Sequence, residues 1–195
     1  TGPRVGSRPP AWATPGAIPV GFHGPNPVLG RVARHPGRLL AARSDVRVFQ
    51  TPPLREALRV VGPLVVRLFV SSDAPDTDFV TKLVDMYPAN ADYPEGYAMT
   101  VCEGTQRMLY RESNINLKPM ERGKVYEIAI ECFPAANLFG AGHRIRLDLA
   151  SSNFPRHDIN NQTGDAFSRE RRIANNAVHH DATHPSAVLL PVLPG

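Results

Sequence analysis

Two stretches of the chain alternate between apolar and charged residues with a period of two. In residues 124–133 the positions Tyr126, Ile128, Ile130 and Cys132 fall on one face, and in residues 143–151 Ile145, Leu147 and Leu149 do the same. Because successive side chains of a strand point to opposite faces, the pattern predicts two amphipathic strands. Residues 64–70 (LVVRLFV) are almost continuously apolar, which predicts a strand covered on both sides.

Turn-forming residues separate these segments from further short strands. We predict strands at residues 45–50, 79–87, 99–102, 106–111, 173–179 and 187–192, a tight hairpin turn at 103–105 and one short helix at 53–60. About eight or nine short strands at regular spacing favour an all-β sandwich. With about eight strands, a jelly roll is the natural member of that class.

The first 40 residues differ in composition from the rest. They contain 8 of the 20 prolines, 7 of the 15 glycines, five arginines and no acid. Proline fixes φ and lacks an amide donor, so this segment should sustain neither a helix nor an inner strand. We therefore divide the chain into an extended Pro/Gly-rich connector at residues 1–43 and a sandwich domain at residues 44–195.

The positive charge of the chain is concentrated in that connector. The five arginines of residues 1–40 exceed the net charge of +4, so the rest of the chain is close to neutral and lacks the basic face of a nucleic-acid-binding domain. No run of 18 apolar residues is present to span a membrane, and no apolar leader marks a secretory signal. We accordingly expect neither nucleic acid nor a membrane as a partner, and a cytoplasmic location is slightly favoured.

Reactive side chains are scarce. Cys102 and Cys132 offer no metal-ligand spacing and no CxxC redox pair, and two buried free thiols are favoured over a bridge between them. None of the nine serines lies in the G-x-S-x-G frame of a nucleophile elbow. The chain is therefore expected to hold no catalytic residue, no metal and no cofactor.

Six collinear motifs closely resemble those of a known family. They are residues 45–48 (DVRV), 61–68 (VGPLVVRL), 71–79 (SSDAPDTDF), 83–88 (LVDMYP), 140–146 (GAGHRIR) and 151–156 (SSNFPR). The family is the C-terminal domain of the X-prolyl dipeptidyl aminopeptidase and cocaine-esterase superfamily of serine hydrolases. The resemblance runs from about residue 25 to the last predicted strand.

The resemblance implies a jelly roll of the galactose-binding-like kind that follows an α/β-hydrolase domain holding the Ser-His-Asp triad. On that basis the chain is a non-catalytic domain that covers and stabilises a hydrolase for esters or X-Pro peptides, in cis or as a separate chain. A homodimer stays open. The alternative is a stand-alone module that binds carbohydrate or a small ligand. A module separated from its hydrolase should expose an unusually large apolar patch.

Asp73, Asp76 and Asp78 form an acidic turn that resembles a calcium loop, but the required D-x-[DN]-x-[DN]-G spacing is not met. We expect Asx-type closure of the turn with one buried, hydrogen-bonded carboxylate, at Asp78. His143 follows a glycine-containing turn. Without a nucleophile it has no partner as a catalytic base, so we expect it to bond the backbone and fix the start of its strand.

The polar loop at residues 153–164 is the candidate ligand site of the alternative hypothesis. Phe154 would stack on a sugar ring, and Asn153, Arg156 and Asn161 would hydrogen-bond it. The competing interpretation is a loop whose amides satisfy their own backbone.

A second candidate site contains His179, His180 and His184, whose spacing invites comparison with a zinc site. Neighbouring side chains on a strand point to opposite faces, so His179 and His180 could not both ligate one ion from one strand. Structural or solvent-facing roles are therefore favoured.

Overall fold

The computed structural model describes residues 17–21, 43, 45–165 and 167–194. This part of the chain forms nine strands and one 3-10 turn at Met108–Tyr110. The strands are β1 Ala17–Gly21, β2 Arg47–Gln50, β3 Leu58–Ser72, β4 Asp78–Tyr87, β5 Tyr97–Arg107, β6 Tyr126–Phe139, β7 Arg144–Ala150, β8 Asn176–His179 and β9 Ala187–Pro191. Among these residues, no helix is long and apolar enough to cross a membrane.

The strands form two antiparallel sheets. Sheet A has the order β1-β9-β3-β6, with β8 also paired to β3, and sheet B has the order β2-β7-β4-β5. The long strand β3 pairs with β6 along one side and with both β8 and β9 along the other. These two sheets confirm the predicted all-β sandwich, while the jelly-roll assignment stays a prediction.

Inward side chains of both sheets share a single core. The three segments with the clearest patterns supply Leu64, Val66, Leu68 and Val70 from β3, Ile128, Ile130 and Cys132 from β6, and Ile145, Leu147 and Leu149 from β7. Removing this apolar surface from water is the main favourable term in folding. The strands predicted at 124–133 and 143–151 are therefore confirmed, and β6 has the predicted exposed face. In β7 both faces are buried, because Arg146 and Asp148 are 3% and 4% exposed.

Two local predictions are wrong. Residues 53–60 form no helix, because the amide of Leu54 bonds the carbonyl of His143 at 2.8 Å and β3 begins at Leu58. Residues 103–105 are no hairpin turn but part of the middle of β5, where Gly104 pairs with Thr81 of β4. Glycine is needed there because a Cβ would lie 2.7 Å from Cγ2 of Ile130.

Part of the predicted connector belongs to the sandwich. Residues 17–21 form the edge strand of sheet A and pair with β9, from Ala17 opposite Pro191 to Gly21 opposite Ala187. An edge strand tolerates Pro19, since its outer side needs no amide donor. The boundary drawn at residue 43 thus leaves one strand out of the domain. The other residues of that connector lie outside the described part, apart from Arg43.

The two cysteines lie in the core between the sheets. Cys102 of β5 and Cys132 of β6 are both free and buried, as predicted. Hydrogen bonding with Cys132, together with burial, raises the pKa of the Cys102 thiol. A protonated thiol is a poor nucleophile and a poor metal ligand, so Cys102 contributes packing rather than chemistry.

Candidate functional site

Three loops at one end of the sandwich are joined by buried polar side chains. Asp78 receives two bonds from Arg107, at 2.8 and 3.0 Å, and a third from Asn160 Nδ2 at 2.7 Å. Asn160 Nδ2 also donates to Asp76 at 2.8 Å, and the amide of Leu109 donates to the other Asp76 oxygen at 2.9 Å. We call Asp76, Asp78, Arg107 and Asn160 the loop-end network.

The electrostatics of the loop-end network are those of a desolvated ion pair. Asp76 and Asp78 are each 3% exposed and Asn160 is 6% exposed, so these groups depend on one another rather than on water. Burial raises the pKa of Asp76, and the bonds from Asn160 and Leu109 oppose that rise. The hydrogen bonds to Asp78 raise the pKa of Arg107. The network therefore holds three loops in one arrangement, and its charges face each other rather than a ligand.

The acidic turn itself is closed differently from the prediction. The amide of Ala74 bonds Ser72 Oγ at 3.1 Å, whereas the carboxylate of Asp73 accepts two 2.8 Å bonds from Asn175. Two carboxylates of the turn are buried instead of the single one expected at Asp78. Donors already occupy both of them, which leaves no open oxygen set for calcium. Within the described ranges, no group of three or more His, Cys, Asp or Glu side chains is arranged to hold a metal ion.

The four residues considered as a ligand site are divided between two places. Asn153 and Arg156 both reach Glu103 on β5, through a 3.2 Å hydrogen bond and an ion pair. Asn161 Nδ2 instead donates to two carbonyls of its own loop, at 2.7 and 3.0 Å. Phe154 is 67% exposed. These contacts favour a loop whose polar groups satisfy one another.

His143 has a partner that the sequence did not reveal. Its Nδ1 lies 2.8 Å from one oxygen of the fully buried Asp85, and Asn137 Nδ2 donates to the other oxygen at 3.1 Å. The side chain of His143 thus bonds a carboxylate, while its amide bonds the carbonyl of Gly140 and its carbonyl accepts the amide of Leu54. Asp85 lies on sheet B and Asn137 on sheet A, so this cluster links the two sheets.

We expect His143→Ala to lower the free energy of unfolding by about 1–3 kcal/mol, because one oxygen of a buried carboxylate loses its partner. In an Asp85→Ala background the same change should cost clearly less, since no carboxylate is left unsatisfied. Urea unfolding of the four proteins in this double-mutant cycle measures the coupling. Equal costs in the two backgrounds would show that the side chain of His143 acts through packing and not through its contact with Asp85.

His179 and His180 point away from each other, as expected for neighbours at the end of a strand. His179 Nε2 lies 2.9 Å from Ser71 Oγ, whereas the ring of His180 packs edge-on against Phe49 with centroids 5.7 Å apart. His184 lies against the ring of His179 at 5.5 Å. Ser71 is part of the extended strand β3 and not of the strand-to-helix turn that exposes a hydrolase nucleophile.

An apolar patch lies on the outer face of sheet A. In the register of β3 with β6, Arg59 is opposite Leu138 and Val61 is opposite Ala136, and the amide of Leu193 bonds the carbonyl of Arg59 on the other side. Val61, Leu138 and Leu193 are exposed by 45%, 55% and 46%. We call Val61, Ala136, Leu138 and Leu193 the sheet A patch.

The sheet A patch lies at the end of the sheet where β1 begins. Ala17, the first residue of β1, is opposite Pro191 of β9. Pro191 in turn lies against Gly62, where an added Cβ would be 3.3 Å from Pro191 Cγ. Since Gly62 follows Val61 directly, the first residue of β1 lies near the patch.

The described residues thus form a β-sandwich in which no serine lies on a nucleophile elbow and in which the polar clusters fasten loops and sheets. The chain belongs to the family of X-Pro dipeptidyl-peptidase C-terminal non-catalytic domains, whose model matches residues 10–189.

Named relatives agree with that membership. The chain is 41% identical over 155 residues to a cocaine esterase from Rhodococcus sp. (strain MB1 Bresler). The aligned region covers 77% of this chain and 26% of that relative. Its fold is similar to that of an aminopeptidase from a marine sediment archaeon, Thaumarchaeota archaeon, with a TM-score of 0.78 and 34% identity over 82% of this chain and 28% of the other. Its fold is also similar to that of an α-amino acid ester hydrolase, with a TM-score of 0.76 and 34% identity over 82% of this chain and 27% of the other.

The chain spans about a quarter of the length of these relatives. The matches agree with the hypothesis of a non-catalytic hydrolase domain and not with that of a stand-alone ligand-binding module.

Proposed function

We propose that the chain is the C-terminal accessory domain of an α/β-hydrolase-type serine hydrolase that cleaves esters or X-Pro peptides. In this proposal it covers one side of the catalytic domain and stabilises it, while every reacting group belongs to that other domain. The support is the family membership together with relatives that carry the names of an esterase, an aminopeptidase and an ester hydrolase.

The sheet A patch is the observation that carries the docking part of the proposal. The exposed side chains of Val61, Leu138 and Leu193, which surround Arg59, favour burial against another protein surface. In this proposal the catalytic domain precedes β1 in the sequence, and Ala17 of β1 lies opposite Pro191, near this patch. The upstream domain is therefore the occupant that we propose for the patch.

A chimera tests the proposal. This chain replaces the matching C-terminal part of the Rhodococcus cocaine esterase, and ester hydrolysis is measured before and after heating. We expect the chimera to hydrolyse ester, the isolated chain to give no turnover, and Leu138→Glu to lower the residual activity of the heated chimera at least about tenfold. The physical reason is that a carboxylate buried at a domain interface loses its hydration, which Arg59 on the opposite strand offsets only in part.

Ile115→Glu is the matched control, because Ile115 is 88% exposed and lies outside the patch. Both variants are also made in the isolated chain, where neither should change the urea midpoint. Equal loss of chimera activity in the two variants would contradict docking through the patch. A concentration-dependent dimer of the isolated chain that Leu138→Glu abolishes would instead assign the patch to a second copy.

A further inference from the structure

The connection between β4 and β5 forms an open cleft of about 510 Å³ that no function described above uses. Tyr87 at the end of β4 is paired with Tyr97 at the start of β5, and the loop between them contributes Tyr93, Asn90 and Asp92 to the walls. We call the surface lined by Tyr87, Tyr93, Tyr97 and Asp92 the tyrosine cleft.

The three tyrosine rings form one continuous aromatic wall. The ring of Tyr97 lies 5.1 Å from that of Tyr93 at an interplanar angle of 37°, and 6.0 Å from that of Tyr87 at 66°. Tyr93 is 44% exposed, so part of this wall faces solvent. Aromatic faces carry the negative part of the ring quadrupole and attract cations placed over them.

The wall is held in place from behind. The ring of Tyr87 packs at 4.2 Å on that of His143, which is fixed by the 2.8 Å contact with the buried Asp85. A binding surface that is ordered before the ligand arrives loses less conformational entropy on binding.

The side chain of Asn90 orders the loop through hydrogen bonds to the main chain. Asn90 Oδ1 accepts the amides of Asp92 and Tyr93 at 3.0 and 2.9 Å, and Asn90 Nδ2 donates to the carbonyl of Pro88. Gly96 has a φ of +75°, and an added Cβ would lie 2.5 Å from the carbonyl oxygen of Tyr87, so the loop returns as close to β4 as glycine allows.

The charge of the tyrosine cleft selects the class of ligand. Asp92 contributes a carboxylate to the wall, whereas no described lysine, arginine or histidine lines it. The side-chain amide of Asn90 is committed to the loop, which leaves few donors for a sugar or an anion. The same chain already places Arg111 4.5 Å over the ring of Tyr126, so a guanidinium on tyrosine is a contact that this fold accommodates.

We propose that the tyrosine cleft binds organic cations, meaning a guanidinium or alkylammonium group that lies over the tyrosine rings and pairs with Asp92. The site takes either a free small-molecule cation or a basic side chain of a peptide, since both present the same group. It adds a binding activity to the accessory role and does not depend on docking to a hydrolase.

The experiment uses pairs of probes that differ in charge but not in shape. Choline is compared with 3,3-dimethyl-1-butanol, and acetyl-arginine amide with acetyl-citrulline amide, by NMR titration of the 195-residue chain at low salt. Each cation should bind about tenfold more tightly than its neutral counterpart, as expected for a cation–π contact supported by a carboxylate. Equal binding within both pairs overturns the proposal. Binding of both cations assigns the site to small molecules and side chains alike, while binding of the arginine probe alone assigns it to basic peptides.

Three variants locate the site. Tyr93→Leu and Asp92→Asn alter exposed residues of the loop and should each weaken cation binding about fivefold to tenfold. Phe154→Leu, which removes an aromatic ring that is 67% exposed elsewhere, should leave it unchanged. If all three variants bind the cations as the unmodified chain does, the tyrosine cleft is not the site. These measurements need no hydrolase activity, so their failure is distinguishable from failure of the proposed function.

Discussion

Replacing Asp78 by alanine is expected to lower the free energy of unfolding by about 3 kcal/mol, because Asn160 and the half-buried Arg107 lose the buried acceptor of three hydrogen bonds. Asp78 accepts two bonds from Arg107 and one from Asn160, and its side chain is 4% exposed. Water cannot replace the lost carboxylate at such a position without opening the loops. Urea unfolding followed by circular dichroism measures the change.

Two companion variants separate charge from shape and position. Asp78→Asn keeps the size of the side chain and removes its charge, so it should be less costly than the alanine change but still clearly destabilising. Asp73 lies in the same turn, and its exposed carboxylate accepts hydrogen bonds from Asn175. Asp73→Ala should therefore lower the free energy of unfolding by less than about 1 kcal/mol. If Asp73→Ala and Asp78→Ala cost the same, the buried ion pair is not what holds the loops.

Local pattern was sufficient to predict the strands that have one face in the core. In β6 the alternation of apolar and charged residues reports burial directly, because successive side chains point to opposite faces of the sheet. In β7 it does not, since Arg146 and Asp148 are buried and paired with each other. In β3 the nearly unbroken apolar run predicted cover on both sides. Val65 on the outer face is 7% exposed, in agreement with that prediction.

The wrong predictions arise where a partner distant in sequence decides the local conformation. Gly104 was taken as a turn residue, but it is required because β6 passes so close that a Cβ would meet Ile130. Residues 53–60 carry no local signal that Leu54 will bond His143. Ile130 and His143 are far away in the sequence, so the local sequence of β5 or of residues 53–60 does not reveal these contacts.

The same limit applies to the polar clusters. The sequence identified Asp78 as a buried carboxylate, yet its donors Arg107 and Asn160 lie 29 and 82 positions away. Asp85 follows Phe79, Thr81 and Leu83 on the inward side of β4, and its partner His143 is 58 positions further on. A charged residue at a core position of a strand is the one signal that would have revealed it, since such a residue is almost never buried unpaired.

Phe139→Ala and Leu138→Ala test the division of β6 into a core face and a docking face. Phe139 is fully buried between the sheets, whereas Leu138 is 55% exposed in the sheet A patch. Phe139→Ala should lower the free energy of unfolding by about 3–5 kcal/mol, the sum of lost apolar transfer and the cavity left behind. Leu138→Ala should change it by no more than about 0.5 kcal/mol in the isolated chain.

The difference in cost between Phe139→Ala and Leu138→Ala should become smaller once the chain is part of the chimera with the esterase. There Leu138 is expected to lie against the catalytic domain, so its truncation should lower the thermal midpoint of the chimera, although it leaves that of the isolated chain unchanged. Phe139→Ala should destabilise both. Differential scanning fluorimetry of the two variants in the two contexts measures this, and a Leu138→Ala chimera that melts like the unmodified chimera would place the catalytic domain on another face. In that case Leu138 and Phe139 would differ only in their burial within this domain, and Leu138 would have no role in docking.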